Sequence, residues 1–234
     1  MRQIIDLMNA GRRDLWTVAH FAERLKLKSP GELEQTLDST IEPTFVLLEA
    51  FAALTGANAG WLKFGTQQPF YSGEHNDLYP DGCLPRIREL SPKQVFIVRC
   101  RDKAGRSGFL LRLDEFRFVV FTRTWHISSE VGGTGQGQLI SFYRAMKTLS
   151  AGTGREYGYP CGQILDQIPF DRLLAGEVYP GSVIQPHNNP WWEDFLDLEC
   201  KNFGAEYYGG RYGTEFLEAQ KIVRWRLSQD SVVP

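Results

Sequence analysis

The chain has 234 residues, of which 42% are hydrophobic and 23% are charged, and its formal net charge is −2. This composition predicts a globular protein with a sizeable core, and the charge excludes bulk attraction to nucleic acid or to an anionic membrane surface. Because no basic segment leads into an apolar run at the N-terminus and no apolar stretch approaches the length of a membrane span, we expect a cytoplasmic protein without a membrane partner.

The first 65 residues have the apolar spacing of short helices separated by brief turns. Val18, Ala22 and Leu25 recur at steps of four and three residues, which is helical spacing. Thr17 precedes this run as an N-cap, and a later apolar run ends at a glycine, which is a helix stop signal. The pattern predicts an all-α domain of five helices over residues 1–66.

A change of composition after this region indicates a second domain. Residues 67–85 are rich in Pro, Gly, Asn and Asp and predict a linker. The stretches QVFIVRC and GFLLRL flank a polar connection that contains a glycine and predict a β-hairpin, and FRFVVFTRTWHIS predicts a third strand. Helical spacing follows in QLISFYRAMKTLS and in several later segments. Residues 86–234 are therefore predicted to form an α+β domain with an antiparallel sheet, so that the chain is multi-domain.

Two segments of the first region carry the pattern of a helix-turn-helix. TVAHFAERLKL places Ala22 at a small-residue packing position and Leu25 at a core position before a turn. SPGELEQTLDST follows with Ser29 as N-cap and Leu33 as buried anchor, and later apolar residues and glycines, ending in WLKFG, continue the register. Residues 2–65 thus resemble the helix-turn-helix family of phage repressors and Cro, the Xre-type regulators. The resemblance implies a dimeric, DNA-binding transcriptional repressor whose second half serves dimerisation or sensing.

Three features depart from the family pattern. Leu37 occupies a position where the family usually carries Glu, and Thr55 occupies one where it usually carries Leu. The segment in the position of the recognition helix is acidic, and residues 1–65 carry seven basic and eight acidic side chains, unlike the basic footprint expected of a DNA-binding module. We expect Glu34 and Asp38 to point sideways into water, so that neighbouring cations can still meet phosphates.

Contacts with double-stranded DNA remain chemically reasonable, because base readout does not require arginine and phosphates can be met by flanking residues. Gln35 can pair with adenine, Glu32 can accept a hydrogen bond from cytosine, and Thr36 can contact a thymine methyl group. The residues expected at base edges or groove walls are Ser29, Glu32, Gln35 and Thr36. The residues expected at phosphates are Arg12, Arg13, Thr17, Lys26 and Lys28. A homodimer that reads two half-sites about 34 Å apart would multiply the phosphate contacts.

A different interpretation of the same segment stays open. A degenerate helix-turn-helix could serve as a protein-interaction adaptor, for instance an antitoxin-like partner that masks another protein. The acidic recognition segment and the lack of a basic footprint are compatible with this alternative, because protein interaction does not require neutralisation of phosphates.

The second region offers one candidate ligand site, at the stretch EVGGTGQGQL between a strand and a helix. It lacks the Gly-Lys-Ser or Gly-Lys-Thr of a phosphate loop and the final spacing of a dinucleotide fingerprint, so a flexible turn and a site for a small anionic effector both remain open. The residues of this candidate site are His126, Glu130, Gly133, Gly135 and Gly137. We predict no catalytic residue, no cofactor and no metal site, because no histidine or cysteine has metal-like spacing. An enzyme in the second half is a third interpretation.

Overall fold

The structure, a computed structural model, describes residues 1–71, 77–151, 158–185 and 187–230. Within these residues the chain forms five strands, twelve α-helices and one short 3-10 helix. The strands are β1 (Gln94–Cys100), β2 (Arg106–Arg112), β3 (Phe118–Val120), β4 (Trp125–His126) and β5 (Cys161–Leu165). The helices before the sheet are α1 (Arg2–Asn9), α2 (Val18–Arg24), α3 (Pro30–Leu37), α4 (Phe45–Thr55), α5 (Ala59–Phe64), the 3-10 helix Pro80–Cys83 and α6 (Leu84–Leu90). The later helices are α7 (Gly133–Ser150), α8 (Gln167–Ala175), α9 (Pro180–Val183), α10 (Trp191–Leu196), α11 (Ala205–Tyr212) and α12 (Thr214–Asp230).

The sheet is mixed and has the strand order β3-β2-β1-β5, with β4 also paired to β2. The strands β1 and β2 form an antiparallel hairpin in which Gln94 lies opposite Arg112. In contrast, β1 and β5 run parallel, beginning with Phe96 opposite Cys161. A parallel pair needs a crossover connection, and the connection that leads to β5 contains the long helix α7.

Helices cover both faces of the sheet, which explains why β1 is apolar at almost every position. Side chains alternate between the two faces of a strand. Val95 and Ile97 lie in a large core with residues of α7, α10 and α12, whereas Phe96 and Val98 lie in a smaller core with residues of α8. Six of the seven residues of β1 are buried, and the one charged residue among them is Arg99.

The first five helices pack into a third core that they share with residues from the later part of the chain. Phe21 and Phe51 are fully buried in this core together with Phe116 and Tyr179. The ring centroids of Phe21 and Phe116 are 5.5 Å apart. The Tyr179 hydroxyl donates a hydrogen bond of 2.9 Å to the Phe116 carbonyl oxygen. Because side chains from both regions close this core, the first five helices do not pack as a separate unit.

The fold class predicted from the sequence is therefore wrong in two respects. The sheet is mixed rather than antiparallel, because β5 joins β1 in parallel. No separate all-α domain is evident at the N-terminus, because its helices share a core with later residues. The described chain instead forms a mixed α/β fold with helices on both faces of the sheet. The predicted hairpin is confirmed as β1 and β2, whereas the predicted third strand is divided into β3 and β4.

The domain boundaries that the sequence suggests, at residues 66 and 86, stay a prediction. Part of the predicted linker is regular structure, since Pro80–Cys83 forms a 3-10 helix and Cys83 is buried in the large core. Residues 72–76 of the predicted linker lie outside the described residues.

Replacing Phe116 with Ala should destabilise the N-terminal helices, although Phe116 belongs to the predicted second domain. The substitution leaves a cavity beside Phe21 and should lower the free energy of unfolding by about 3–5 kcal/mol. In hydrogen exchange, the amides of α2 and α4 should lose more protection than in the control Phe142→Ala, whose ring lies in the large core. Unchanged protection of α2 and α4 in Phe116→Ala would contradict a shared core.

Candidate nucleic-acid interface

A tight turn joins α2 to α3. Lys26 has a left-handed backbone, with φ of 58°, and its N–H donates to the carbonyl oxygen of Glu23 at 3.0 Å. The N–H of Leu27 donates to the carbonyl oxygen of Ala22, also at 3.0 Å. These two bonds satisfy carbonyl groups that the end of α2 would otherwise leave without a partner. Helix ends with this pattern usually carry glycine at the left-handed position. The turn changes the direction of the chain, and α3 then packs against α2.

Two leucines hold α3 in place. Leu33 and Leu37 are buried in the same core as Phe21. Pro30 occupies the first turn, where a backbone N–H is not needed. Ser29 stands at the predicted N-cap position, although its side chain makes no capping hydrogen bond within the described chain. Burial of the two leucines directs the intervening positions of α3 away from the core.

The predicted base-reading residues lie mostly on the outer surface of α3. Ser29, Glu32 and Gln35 are exposed, so the rest of the described chain does not cover this face. Thr36 is half-buried, and its hydroxyl donates a hydrogen bond of 3.0 Å to the carbonyl oxygen of Glu32. The Thr36 hydroxyl proton is therefore committed to its own helix, whereas the side-chain amide of Gln35 has no hydrogen-bond partner among the described residues and can meet a base edge.

The predicted phosphate-contacting residues flank α3 on two segments. Lys26 and Lys28 are exposed in the turn before α3, and Arg12 and Arg13 are exposed before α2. The guanidinium of Arg12 lies over the Trp16 ring, 3.6 Å from its centroid, which limits its freedom.

Thr17, the remaining predicted phosphate contact, stands at the N-cap of α2. Its backbone N–H donates to Nδ1 of His20 at 3.0 Å. This bond is one half of a capping box, so it defines where α2 begins. Thr17 therefore has a structural role that does not depend on DNA.

The two acidic residues that were expected to point away from DNA have different surroundings. Asp38 forms an exposed ion pair of 2.5 Å with Arg2 of α1, so a cation of this chain offsets its charge. Glu34 is exposed, and among the described residues neither Glu34 nor Glu32 has a salt-bridge partner. The outer surface of α3 therefore presents two free carboxylates beside the cations of the turn.

The two departures from the family pattern in the core are accommodated without a buried polar group left unpaired. Leu37 lies inside, at 8% exposure, where it adds apolar packing. Thr55 is buried, and its hydroxyl donates a hydrogen bond of 2.7 Å to the carbonyl oxygen of Phe51.

An apolar cleft of about 300 Å³ lies between α3 and α4. Two of its lining side chains are open to solvent, Ile41 at 48% and Val46 at 76%, and Phe45, the neighbour of Val46 in the chain, is 65% exposed. Two carboxylates, those of Glu32 and Glu42, belong to the wall of the cleft. The other lining residues are Leu25, Leu27, Thr36, Ile41, Thr44, Val46, Leu47 and Ala50. Exposed apolar surface of this kind is typical of a contact with another molecule.

The cleft was not predicted from the sequence. A signal was present in the segment FVLLEAFAALT, which becomes α4 and is apolar nearly all round. A helix on the surface of a globular protein needs only one apolar stripe. An apolar residue on every side of α4 therefore indicates that part of the helix faces a partner or solvent.

The glycines of the anion site predicted in the second region lie in a helix rather than in a loop. Gly133, Gly135 and Gly137 lie in the first turns of α7. A Cβ atom on Gly135 would lie 2.5 Å from the Val131 side chain, and one on Gly137 would lie 3.2 Å from the Tyr79 ring. The latter two glycines therefore permit close packing at the start of α7.

The polar residues of that predicted site do not converge. The Glu130 carboxylate forms an ion pair of 2.5 Å with Lys103, and His126 is exposed on β4. Within the described ranges no hydrogen bond joins His126 to Glu130. An anionic effector at this position stays a prediction.

None of the helices in the described residues is long and apolar enough to cross a membrane. The same residues contain no group of three or more His, Cys, Asp or Glu side chains that could hold a metal ion. The chain matches no protein-family model, no curated protein and no solved structure. An assignment of function must therefore rest on the geometry of α3 and its surroundings.

Replacing Lys26 with Gly should stabilise the protein by about 0.5–1 kcal/mol, because glycine adopts the left-handed conformation without the steric cost that a Cβ atom imposes. Urea denaturation measures the change. The matched control is Lys28→Gly, at a position whose φ is not in the left-handed region, which should not gain stability. A gain in the control equal to that in Lys26→Gly would show that the turn geometry is not the cause.

Proposed function

We propose that this protein is a sequence-specific, DNA-binding transcriptional regulator that reads DNA with α3. The observation that carries the proposal is the orientation of this helix. Leu33 and Leu37 are buried, whereas Ser29, Glu32 and Gln35 are exposed next to a turn that carries Lys26 and Lys28. A helix held from behind, with polar side chains outward, has the form that fits the major groove of DNA.

The chemistry of the exposed side chains supports base readout. The amide of Gln35 can donate to and accept from an adenine edge, and the carboxylate of Glu32 can accept a hydrogen bond from cytosine N4. Lys26 and Lys28 precede the N-terminus of α3, where the free N–H groups and the helix dipole also favour a phosphate. Base contacts would select the sequence, and these cations would position the helix.

The free carboxylates of Glu32 and Glu34 weaken attraction to the phosphate backbone, because they oppose the field of the neighbouring lysines. We therefore propose a homodimeric repressor that reads two half-sites about 34 Å apart, since a single copy would make too few phosphate contacts. The affinity of such a dimer should fall steeply as salt concentration rises.

The test is selection of bound sequences from a pool of random DNA duplexes by the full chain at low salt. Enrichment of an inverted repeat is the expected result. The variant Lys26→Glu/Lys28→Glu should lose binding at least about tenfold, because two phosphate contacts become repulsive. The variant Gln35→Ala should weaken binding of the selected duplex by about 1–3 kcal/mol and leave binding of random DNA unchanged.

The matched control for charge is Lys201→Glu/Lys221→Glu, which reverses two exposed lysines on other segments. It should bind the selected duplex as the wild type does. Equal losses in the two double variants would show that the effect is only one of net charge, and the absence of any enriched sequence would reject the DNA proposal.

A second function, protein interaction, is favoured by the apolar cleft between α3 and α4. Ile41 and Val46 line this cleft and are exposed, and Glu32 and Glu42 add negative charge to it. The complementary occupant is an amphipathic helix of a partner protein, with an apolar face for the cleft and a basic residue for the carboxylates. Because Glu32 belongs to both surfaces, such a partner would compete with DNA for α3.

Val46→Asp separates the two functions. Aspartate in the cleft should abolish capture of a partner, whereas Trp225→Asp, which changes an exposed aromatic residue on α12, should not. DNA binding should survive in both variants. Competition between the captured partner and the selected duplex supports protein interaction, and capture that is insensitive to Val46→Asp rejects the cleft as its site.

A further inference from the structure

A second cavity, of about 350 Å³, lies where the parallel strands β1 and β5 end. Its wall includes three arginines, Arg99, Arg101 and Arg211, together with Asn189 and Tyr212. In open sheets with parallel strands, ligands commonly bind outside the carboxyl ends of the strands. The position and the concentration of guanidinium groups make this cavity a candidate for an anion.

Arg99 is the unusual member of the set, because it is buried and forms no ion pair with another described residue. It projects from the buried strand β1 and is 4% exposed. No carboxylate in the described chain lies within ion-pair distance of it. Its Nη2 donates to the carbonyl oxygen of Tyr212 at 3.3 Å, and its Nε has no hydrogen-bond partner among the described residues. Burial of an uncompensated charge is strongly unfavourable.

Three aromatic rings surround the guanidinium and hold it in place. The Arg99 Cζ atom lies 5.9 Å from the Trp191 ring centroid, 5.8 Å from that of Tyr212 and 5.5 Å from that of Phe216. Cation–π attraction offsets part of the desolvation cost but leaves the positive charge in place. Burial lowers the pKa of Arg99 to about 10, in agreement with incomplete compensation.

Asp102, which lines the cavity, attracts Arg99 electrostatically but offsets only part of its buried charge. Asp102 is committed to Arg106, whose Nε lies 2.6 Å from its carboxylate. Arg101 pairs at 3.4 Å with Asp166, and both side chains are mostly exposed. Arg211 donates to the hydroxyl of Tyr207 and, at 3.5 Å, to the side-chain oxygen of Asn189. The cavity therefore keeps an excess of positive charge.

We propose that this cavity binds the phosphate group of a small phosphorylated ligand. Guanidinium groups match the oxygens of phosphate with paired donors, and a dianion satisfies several arginines better than a single carboxylate does. The volume lies at the lower end of the range for small-molecule sites, and Ile164 and the Tyr212 ring offer apolar surface for the remainder of the ligand. The site is independent of DNA binding by α3.

The experiment is a calorimetric titration of the full chain with inorganic phosphate and with glycerol phosphate, at matched ionic strength. Binding of either probe supports the site, and tighter binding of the ester identifies a phosphorylated metabolite rather than free phosphate. Acetate is the carboxylate control and should bind more weakly. Absence of heat with both phosphate probes, or tighter binding of acetate, would overturn the proposal.

Arg101→Ala and Arg211→Ala should each reduce phosphate affinity about tenfold, the loss expected for one charge-assisted hydrogen bond. Arg86→Ala changes an arginine outside the cavity, on α6, and should bind phosphate as the wild type does. Unchanged affinity in both cavity variants, or an equal loss in Arg86→Ala, would contradict the assignment.

Arg99→Met distinguishes a ligand-binding charge from a structural one. Removal of an uncompensated buried charge should raise the unfolding temperature without ligand and abolish its increase with phosphate. A variant that retains the increase in unfolding temperature with phosphate would reject Arg99 as part of the site. If Arg99→Met does not fold, the Arg101 and Arg211 variants still decide the proposal.

Discussion

The burial of Leu33 and Leu37 determines which face of α3 is open to other molecules. Burial of both side chains is favoured because they are apolar. The left-handed turn at Lys26 places α3 against α2, where the two side chains are buried. Glu34 and Gln35, which lie between them, are then directed outward. This single packing requirement exposes Gln35 and its neighbours, and it also forms one wall of the apolar cleft beside α4. The proposed DNA binding and the proposed partner binding would thus use one surface and compete for it.

The shared aromatic core gives that surface a fixed place on the molecule. Phe116 and Tyr179 close the core of the N-terminal helices from the side of the sheet. An exposed ion pair of 2.8 Å joins Arg24 to Glu115, the residue that precedes Phe116. The apolar contacts carry most of this stabilisation, because exposed ion pairs contribute little. The position of α3 relative to the sheet therefore depends on aromatic packing rather than on a flexible linker.

Local patterns predicted well what local forces determine. Two short apolar runs joined by a polar turn are sufficient for the β1–β2 hairpin, and the spacing of Leu33 and Leu37 is sufficient for the buried side of α3. Non-local pairing was not predictable in the same way. The strand β5 has only five residues, which include a glycine, and its partner β1 is some sixty residues away, so no turn signal marks the pair. The shared core and the arginine cavity likewise arise from residues that only the tertiary fold brings together. The arginine inside the apolar run QVFIVRC is unusual in the sequence itself, but its surroundings in the fold could not be predicted from the sequence.

Nuclear magnetic resonance can test whether the outward face of α3 meets DNA. Amide and side-chain signals of the full chain are followed during titration with a selected duplex. If this face binds DNA, the largest shifts will arise in α3 and its preceding turn, including the side-chain amide of Gln35, while signals of the buried strand β1 stay constant. Shifts confined to other surfaces, with α3 unaffected at saturation, would contradict it.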